Sequence, residues 1–250
     1  MASLASEPKA EGFAQSLWDY NMNDGVFNPW RHCDPDYDIG PSAPGLRGRN
    51  LVEYLAPRLE RARLILVAEA LGYQGGKFTG IAMTSERILL GHHHRVRPEH
   101  VFPSAEFCKE LKRTSKSHPS LSAVVQRDGF TEPTATIVWG HLLGLGLSPL
   151  DVILWNIFPF HPFDPGSGRL SNRTPTPAEL EEGRAYLRQL MALVPAATVV
   201  AVGEKSASII GDDCARVRHP AHGGATEFRD GLSQLMISLS QRRMRMRMRR

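Results

Sequence analysis

Four short apolar runs divide the chain, and stretches with helical spacing lie between them. Leu64 to Val67, Asp151 to Asn156, Thr198 to Val202 and Ala215 to Arg218 read as strands. The aliphatic residues of the first run are continuous rather than alternating, as in a strand covered on both faces. Leu51, Val52, Leu55 and Leu59 precede it at helical spacing. Ile137, Val138, His141, Leu142 and Leu145 do the same before the second run, ending at Gly144 and Gly146. Thr176-Pro-Ala-Glu179 is a capping box with proline at the first helical position, and Leu180, Leu187, Leu190, Met191 and Val194 continue it as one apolar stripe. Gly203-Glu-Lys-Ser opens a short helix, and Phe228, Leu232, Leu235, Met236 and Leu239 form the inward face of the last one. Strand and helix alternating in this way predict an α/β domain, a three-layer α/β/α sandwich around a central, mainly parallel four-stranded sheet.

The rest of the chain falls outside that alternation. Residues 1–45 are rich in Asp, Pro, Gly and Asn and read as an irregular wrap. The spacing of Phe13, Trp18 and Tyr20 suits a short helix, and these rings, with Phe27, Trp30 and Tyr37, are expected to pack as a lid or satellite core. Thr84-Ser-Glu-Arg87 resembles a capped helix start, and residues 97–131 form a polar excursion whose Lys109, Lys112, Arg113 and Lys116 read as a solvated face. The domain itself is expected over 46–241, followed by a basic Arg/Met tail over 242–250.

Composition narrows the classes. At 250 residues and 42% hydrophobic content the chain can bury a full core as one domain. The formal charge of +4 includes six arginines among the last nine residues, without which the body carries −2. Such a tail is attracted to polyanions, or is a solvated appendage. Cys33, Cys108 and Cys214 lie far apart with no paired spacing, so neither a disulfide framework nor an iron-sulfur or zinc site is indicated. His92-His93-His94 reads as a loop cluster rather than a metal site, because three consecutive histidines cannot face one ion from a helix or strand. No apolar run reaches the roughly 20 residues of a membrane span, no signal core opens the chain, and a cytoplasmic monomer is expected.

The chemistry gathers at the strand ends, where open parallel sheets bind ligands. The first strand runs into Glu69-Ala-Leu-Gly-Tyr-Gln-Gly-Gly-Lys-Phe78, a glycine-rich loop with one carboxylate at Glu69 and an aromatic ring at Phe78. The second ends in Asn156, whose amide matches the imide edge of a pyrimidine or closes a turn before Pro159. The fourth delivers His219-Pro-Ala-His-Gly-Gly224, where His219 is a donor for a leaving group or merely fixes a turn. Converging on one sheet edge, these groups suit a planar heterocycle.

Ala68-Glu-Ala-Leu-Gly72, Lys77-Phe-Thr-Gly80, Leu154-Trp-Asn156 and His219-Pro-Ala221, in this order over residues 63–230, resemble the motifs of the uracil-DNA glycosylase superfamily. The resemblance implies an enzyme that flips uracil out of DNA, single- or double-stranded, and hydrolyses its N-glycosidic bond without metal or other cofactor. It implies that His219 donates to uracil O2, that Phe78 stacks on the base and that Asn156 reads O4 and N3–H. Ala70, Leu71, Gly72 and Tyr73 would surround the base. The departures are informative. Ala70 stands where one branch has a water-activating Asp, leaving Glu69 to hold the water, support the sugar or bond loop amides. Gly72 replaces a tyrosine that crowds C5, implying room for C5-substituted or other deaminated bases unless Tyr73 closes the gap. Leu71 replaces the motif proline, and Ala221 the phosphate-binding serine, so phosphate contact passes to the N–H groups of Gly223 and Gly224, with His222 near the wedge position. A non-hydrolytic or covalent DNA-binding protein of the same fold is the alternative; Arg216-Val-Arg218-His219 is only superficially like the loop of the covalent branch.

Overall fold

A computed structural model describes residues 6–20, 24–211 and 214–248, with side chains described as far as Gln241. In chain order the elements are α1 (Ser6–Trp18), β1 (Val26–Phe27), α2 (Ala43–Leu55), β2 (Leu64–Ala70), α3 (Gly76–Thr79), α4 (Glu86–Leu89), α5 (Pro98–Val101), α6 (Ala105–Glu110), α7 (Ala123–Asp128), α8 (Pro133–Gly144), β3 (Val152–Phe158), β4 (His161–Pro162), α9 (Pro177–Leu193), β5 (Thr198–Val202), α10 (Glu204–Ile210), β6 (Ala215–Val217) and α11 (Ala225–Met248). The main sheet has the order β3-β2-β5-β6, and every pairing in it is parallel. Helices flank it, giving the three-layer α/β/α arrangement. Ile65, Leu66, Ile153, Val200 and Phe228 are fully buried in its core.

The edge strand β3 does not expose its outer backbone groups. Leu154 N–H donates to the Tyr54 hydroxyl at 2.7 Å, and Arg58 Nε donates to Val152 O at 3.1 Å. Polar side chains in and just after α2 thus cover an edge that would otherwise invite pairing with another chain. The capping box at Thr176 forms as expected, with Glu179 N–H on the Thr176 hydroxyl and Thr176 N–H on Glu179. Glu179 also takes a bidentate pair from Arg173 at 2.6 and 2.7 Å, which pins the loop before α9.

Several expectations need revision. The N-terminal region opens with a 13-residue helix, α1, whose Phe13 ring packs 5.4 Å from Trp155. Tyr20 stacks on Phe160 at 4.1 Å, and β1 pairs antiparallel with β4, so the wrap is tied to the domain; Trp18 alone of its rings stays largely exposed. The Thr84–Arg87 start carries no side-chain cap: the N-cap is Ser85, whose hydroxyl is buried without a partner, and Glu86 accepts from the Thr114 and Ser115 backbone N–H groups. The excursion over 97–131 contains the short helices α5, α6 and α7, and Arg113 is spent on the Val125 and Gln126 carbonyls instead of facing solvent. His93 is tied by its Nδ1 to the backbone N–H groups of Arg95 and Val96. The tail continues the α11 backbone to Met248; its side chains lie outside the described residues. Among the described residues no helix is long and apolar enough to cross a membrane.

Candidate active site

The strands run further than their aliphatic cores, and this sets the site. β2 continues through Glu69 and Ala70, and Asn156 lies two residues inside the end of β3, paired in register with Ala68. Beyond β2, the loop and the start of α8 enclose a cleft of about 320 Å³. Its walls include Glu69, Ala70, Leu71, Gly72, Met83, Glu132, Asn172 and His219. The structure therefore brings together five of the residues singled out from sequence, from the first and last strands.

His219 is oriented by its own loop. Ala221 N–H donates to His219 Nδ1 at 3.1 Å, so the neutral ring carries its proton on Nε2. Burial, and then the charges of His222 and Arg218, hold its pKa below the ordinary imidazole value. The result at neutral pH is an uncharged ring with a fixed donor. The loop leaves no slack, because a side chain at Gly224 would collide with His219 O.

Two carboxyl groups border the cleft in different environments. Glu69 accepts from Lys205 Nζ at 3.0 Å, and the same ammonium reaches Thr174 Oγ1 at 3.1 Å, linking the end of β2 to α10 and the loop before α9. Glu132, at the N-cap of α8, has no cation opposite it, and its Oε2 is enclosed without a hydrogen-bond partner. Burial alone pushes its pKa up to about 7. It occupies the space beside Gly75 that a Cβ there would fill.

Some expected members lie elsewhere. Phe78 is a buried core ring, stacked on Phe130 at 4.4 Å with Lys77 Nζ 4.5 Å from its centroid, and it does not line the cleft. Met83, held in the left-handed region at φ 47°, lines the cleft instead, with Leu71 and Pro162 among its other apolar walls. Tyr73 leans edge-on against Phe130, and its N–H donates to Asn172 Oδ1 at 3.1 Å, so it does not close the gap at Gly72. Asn156 is buried beside Ala68 and does not line the cleft wall, yet its Oδ1 has no partner. Gly224 N–H donates to Ala221 O at 3.1 Å, which spends one of the two expected phosphate donors. His222 and Gly223 are exposed in left-handed conformations at the turn into α11.

Met83, Glu132, Asn172 and Lys205 were not read from sequence as site residues. The signal for Glu132 was present but ambiguous, since a carboxylate before a helix proline also reads as a cap. Among the described residues, no group of three or more His, Cys, Asp or Glu is arranged to hold a metal ion.

A parallel sheet with a polar cleft beyond its central strand, and an oriented histidine from the last strand, is the frame of a base-processing enzyme. A sequence model described as the Uracil DNA glycosylase superfamily matches residues 59–250, and the chain belongs to that superfamily. It is therefore a glycosylase-type enzyme whose partner is DNA. Among solved structures, the wild-type SMUG2 of Pedobacter heparinus is similar in fold, with a TM-score of 0.61 at 13% identity, covering 96% of this chain and 100% of that one. No curated protein matches the sequence.

Proposed function

We propose that the chain is a monofunctional DNA glycosylase that extrudes uracil from DNA and hydrolyses its N-glycosidic bond, leaving an abasic site. The observation that carries this reading is His219, neutral and tautomerically fixed beside the cleft. Cleavage leaves negative charge on the base and positive character on the sugar, and a preorganised donor at the base oxygen stabilises that separation without reorganising. Asn156 lies behind the cleft wall beside Ala68, and its unspent Oδ1 suits the N3–H of a uracil that reaches past that wall, whereas cytosine presents an acceptor there. Glu69, part-exposed and paired with Lys205, is the residue we assign to the sugar side, where the water must attack.

Two lysines bear on strand scission, and neither is a free amine: Lys205 is ion-paired with Glu69 at 3.0 Å, and Lys77 lies in the core. The Lys77 ammonium is fully buried and donates to Asp34 at 2.7 Å, so it is not available to attack the sugar. The base range follows from Gly72, where an added Cβ would meet only Asn172 Oδ1 at 3.8 Å. Gly72→Tyr is expected to keep uracil excision and to lower excision of C5-substituted uracils by roughly tenfold or more. Competition between uracil and 5-hydroxymethyluracil oligonucleotides measures this, and an unchanged ratio would remove Gly72 from specificity.

The test of the function is an end-labelled oligonucleotide with one uracil, single-stranded and duplexed, incubated with the protein and then treated with alkali. Strand breaks that appear only after alkali are expected. An intact strand that is nonetheless bound, or a gel-stable adduct, would replace hydrolysis by a binding or covalent role.

A further inference from the structure

The covered Oε2 of Glu132 makes no hydrogen bond or ion pair that would tie the fold together. Buried polar atoms are nearly always hydrogen-bonded, and an unpartnered one in a native structure calls for an explanation. Here Oε2 has no donor, no cation faces the group, and the backbone makes room for it by keeping glycine at position 75. The charged or titratable groups around the cleft are otherwise engaged or oriented. Glu69 is paired with Lys205, Arg173 is paired with Glu179, and His219 is held by Ala221. On its own helix, the first turn of α8 offers no further acidic or basic group.

Resting on the glycosylase reading, we propose that Glu132 is a base-reading residue whose carboxyl, as the acid, donates a hydrogen bond to a carbonyl oxygen of the extruded base. The substrate class this favours is the oxo-base: uracil and the deaminated purines present carbonyl acceptors where cytosine and adenine present amino donors. A donor facing an amino group leaves both unpaired, which buried sites reject strongly. The alternative use of a cleft carboxyl, as base for the attacking water, suits Glu132 less well. The sugar stays tied to the DNA backbone on the solvent side, and Glu69 is part-exposed beside the exposed Lys205, whereas Glu132 lines the same cleft with its Oε2 covered by the Gly75 loop. The proton needed for donation is retained through neutrality, since burial raises the pKa of this group to about 7.

The experiment measures binding apart from chemistry. Wild type, Glu132→Gln and Glu132→Ala are titrated against an oligonucleotide carrying an uncleavable 2′-fluoroarabino-uracil, and against the same strand with a tetrahydrofuran abasic analogue, from pH 6 to 9. Wild type is expected to prefer the uracil strand and to lose about tenfold of that preference as pH rises well past 7, tenfold being 1.4 kcal/mol. Glu132→Gln, which keeps an N–H donor, should retain most of the preference and lose its alkaline decline. Glu132→Ala should lose about tenfold at pH 6 on the uracil strand alone. Its thermal midpoint should be no lower than wild type, because an unpartnered buried oxygen has been removed. Equal preference in Glu132→Ala and wild type, an alkaline decline that survives in Glu132→Gln, or a loss explained by a lowered midpoint would overturn the proposal. Wild type that cleaves uracil while the variants behave alike would sink this inference alone. Wild type that neither cleaves nor prefers uracil would sink the glycosylase reading and this inference with it.

Discussion

Alanine at position 219 is expected to slow single-turnover excision of uracil by about 10²- to 10³-fold, the usual effect of removing a donor aimed at developing charge. Affinity for uncleavable uracil DNA should fall much less, because the donor matters most once the base carries negative charge. The acid limb of the wild-type rate belongs to the same residue. Its pKa lies below the ordinary value of about 6.5 because burial disfavours the imidazolium and His222 and Arg218 repel it. Protonating Nδ1 would also cost the hydrogen bond from Ala221. The neutral form should therefore persist as pH drops through 6.5, and the rate should fall only below that. For stability the sign is the same. The unfolded chain takes up the proton first, so stability is lost as pH falls from about 6.5 toward the folded pKa. Rate against pH for wild type, beside stability against pH for wild type and His219→Ala, checks both statements. A wild-type acid limb centred well above 6.5 would show that His219 works as the cation.

The second large effect is on stability. Asp34 and Lys77 are both fully buried and 2.7 Å apart, and a second buried pair, Asp38 with Arg47 at 2.7 Å, adjoins them. Asp34→Ala leaves the Lys77 ammonium without its direct partner, while Arg169, which reaches Asp34 at 3.4 Å from a part-exposed position, can turn to water. Breaking a buried pair from one side costs about 3–5 kcal/mol. For a chain of this size that is a fall in melting temperature of roughly 10 °C. Lys77→Met placed on top of Asp34→Ala removes the stranded charge and should restore most of the loss. Chemical denaturation of the single and double variants measures this. A double variant no more stable than Asp34→Ala would show that the pair contributes through packing rather than charge. Because Lys77 sits in α3, directly after the cleft loop, the single variant should also loosen the wall formed by Leu71 and Gly72.

What the sequence determined by itself is the frame. Continuous aliphatic runs become strands because only a doubly covered strand can bury them, and the runs at Leu64 and Thr198 begin their strands where the pattern says. The Thr176 capping box is legible because its partners lie three residues apart. His219 was legible for a related reason: its strand, its turn and the Ala221 N–H that orients it all lie within a few residues.

The tertiary structure decided which side chains face the cleft, through contacts between residues far apart in the chain. Phe78 looks like a stacking ring in its own segment, but Phe130 covers it from 52 positions away, as the sequence numbering shows. Lys77 follows a glycine-rich loop at the end of a strand, yet Asp34 draws it into the core. Met83 reaches the cleft through a left-handed backbone that no residue type announces. Glu132 and Gly75 depend on each other for space, and neither neighbourhood contains the other. Periodicity and caps record local energetics, so they could be read in order along the chain. Burial and orientation at the site are set by packing between segments, and that existed only once the chain had folded.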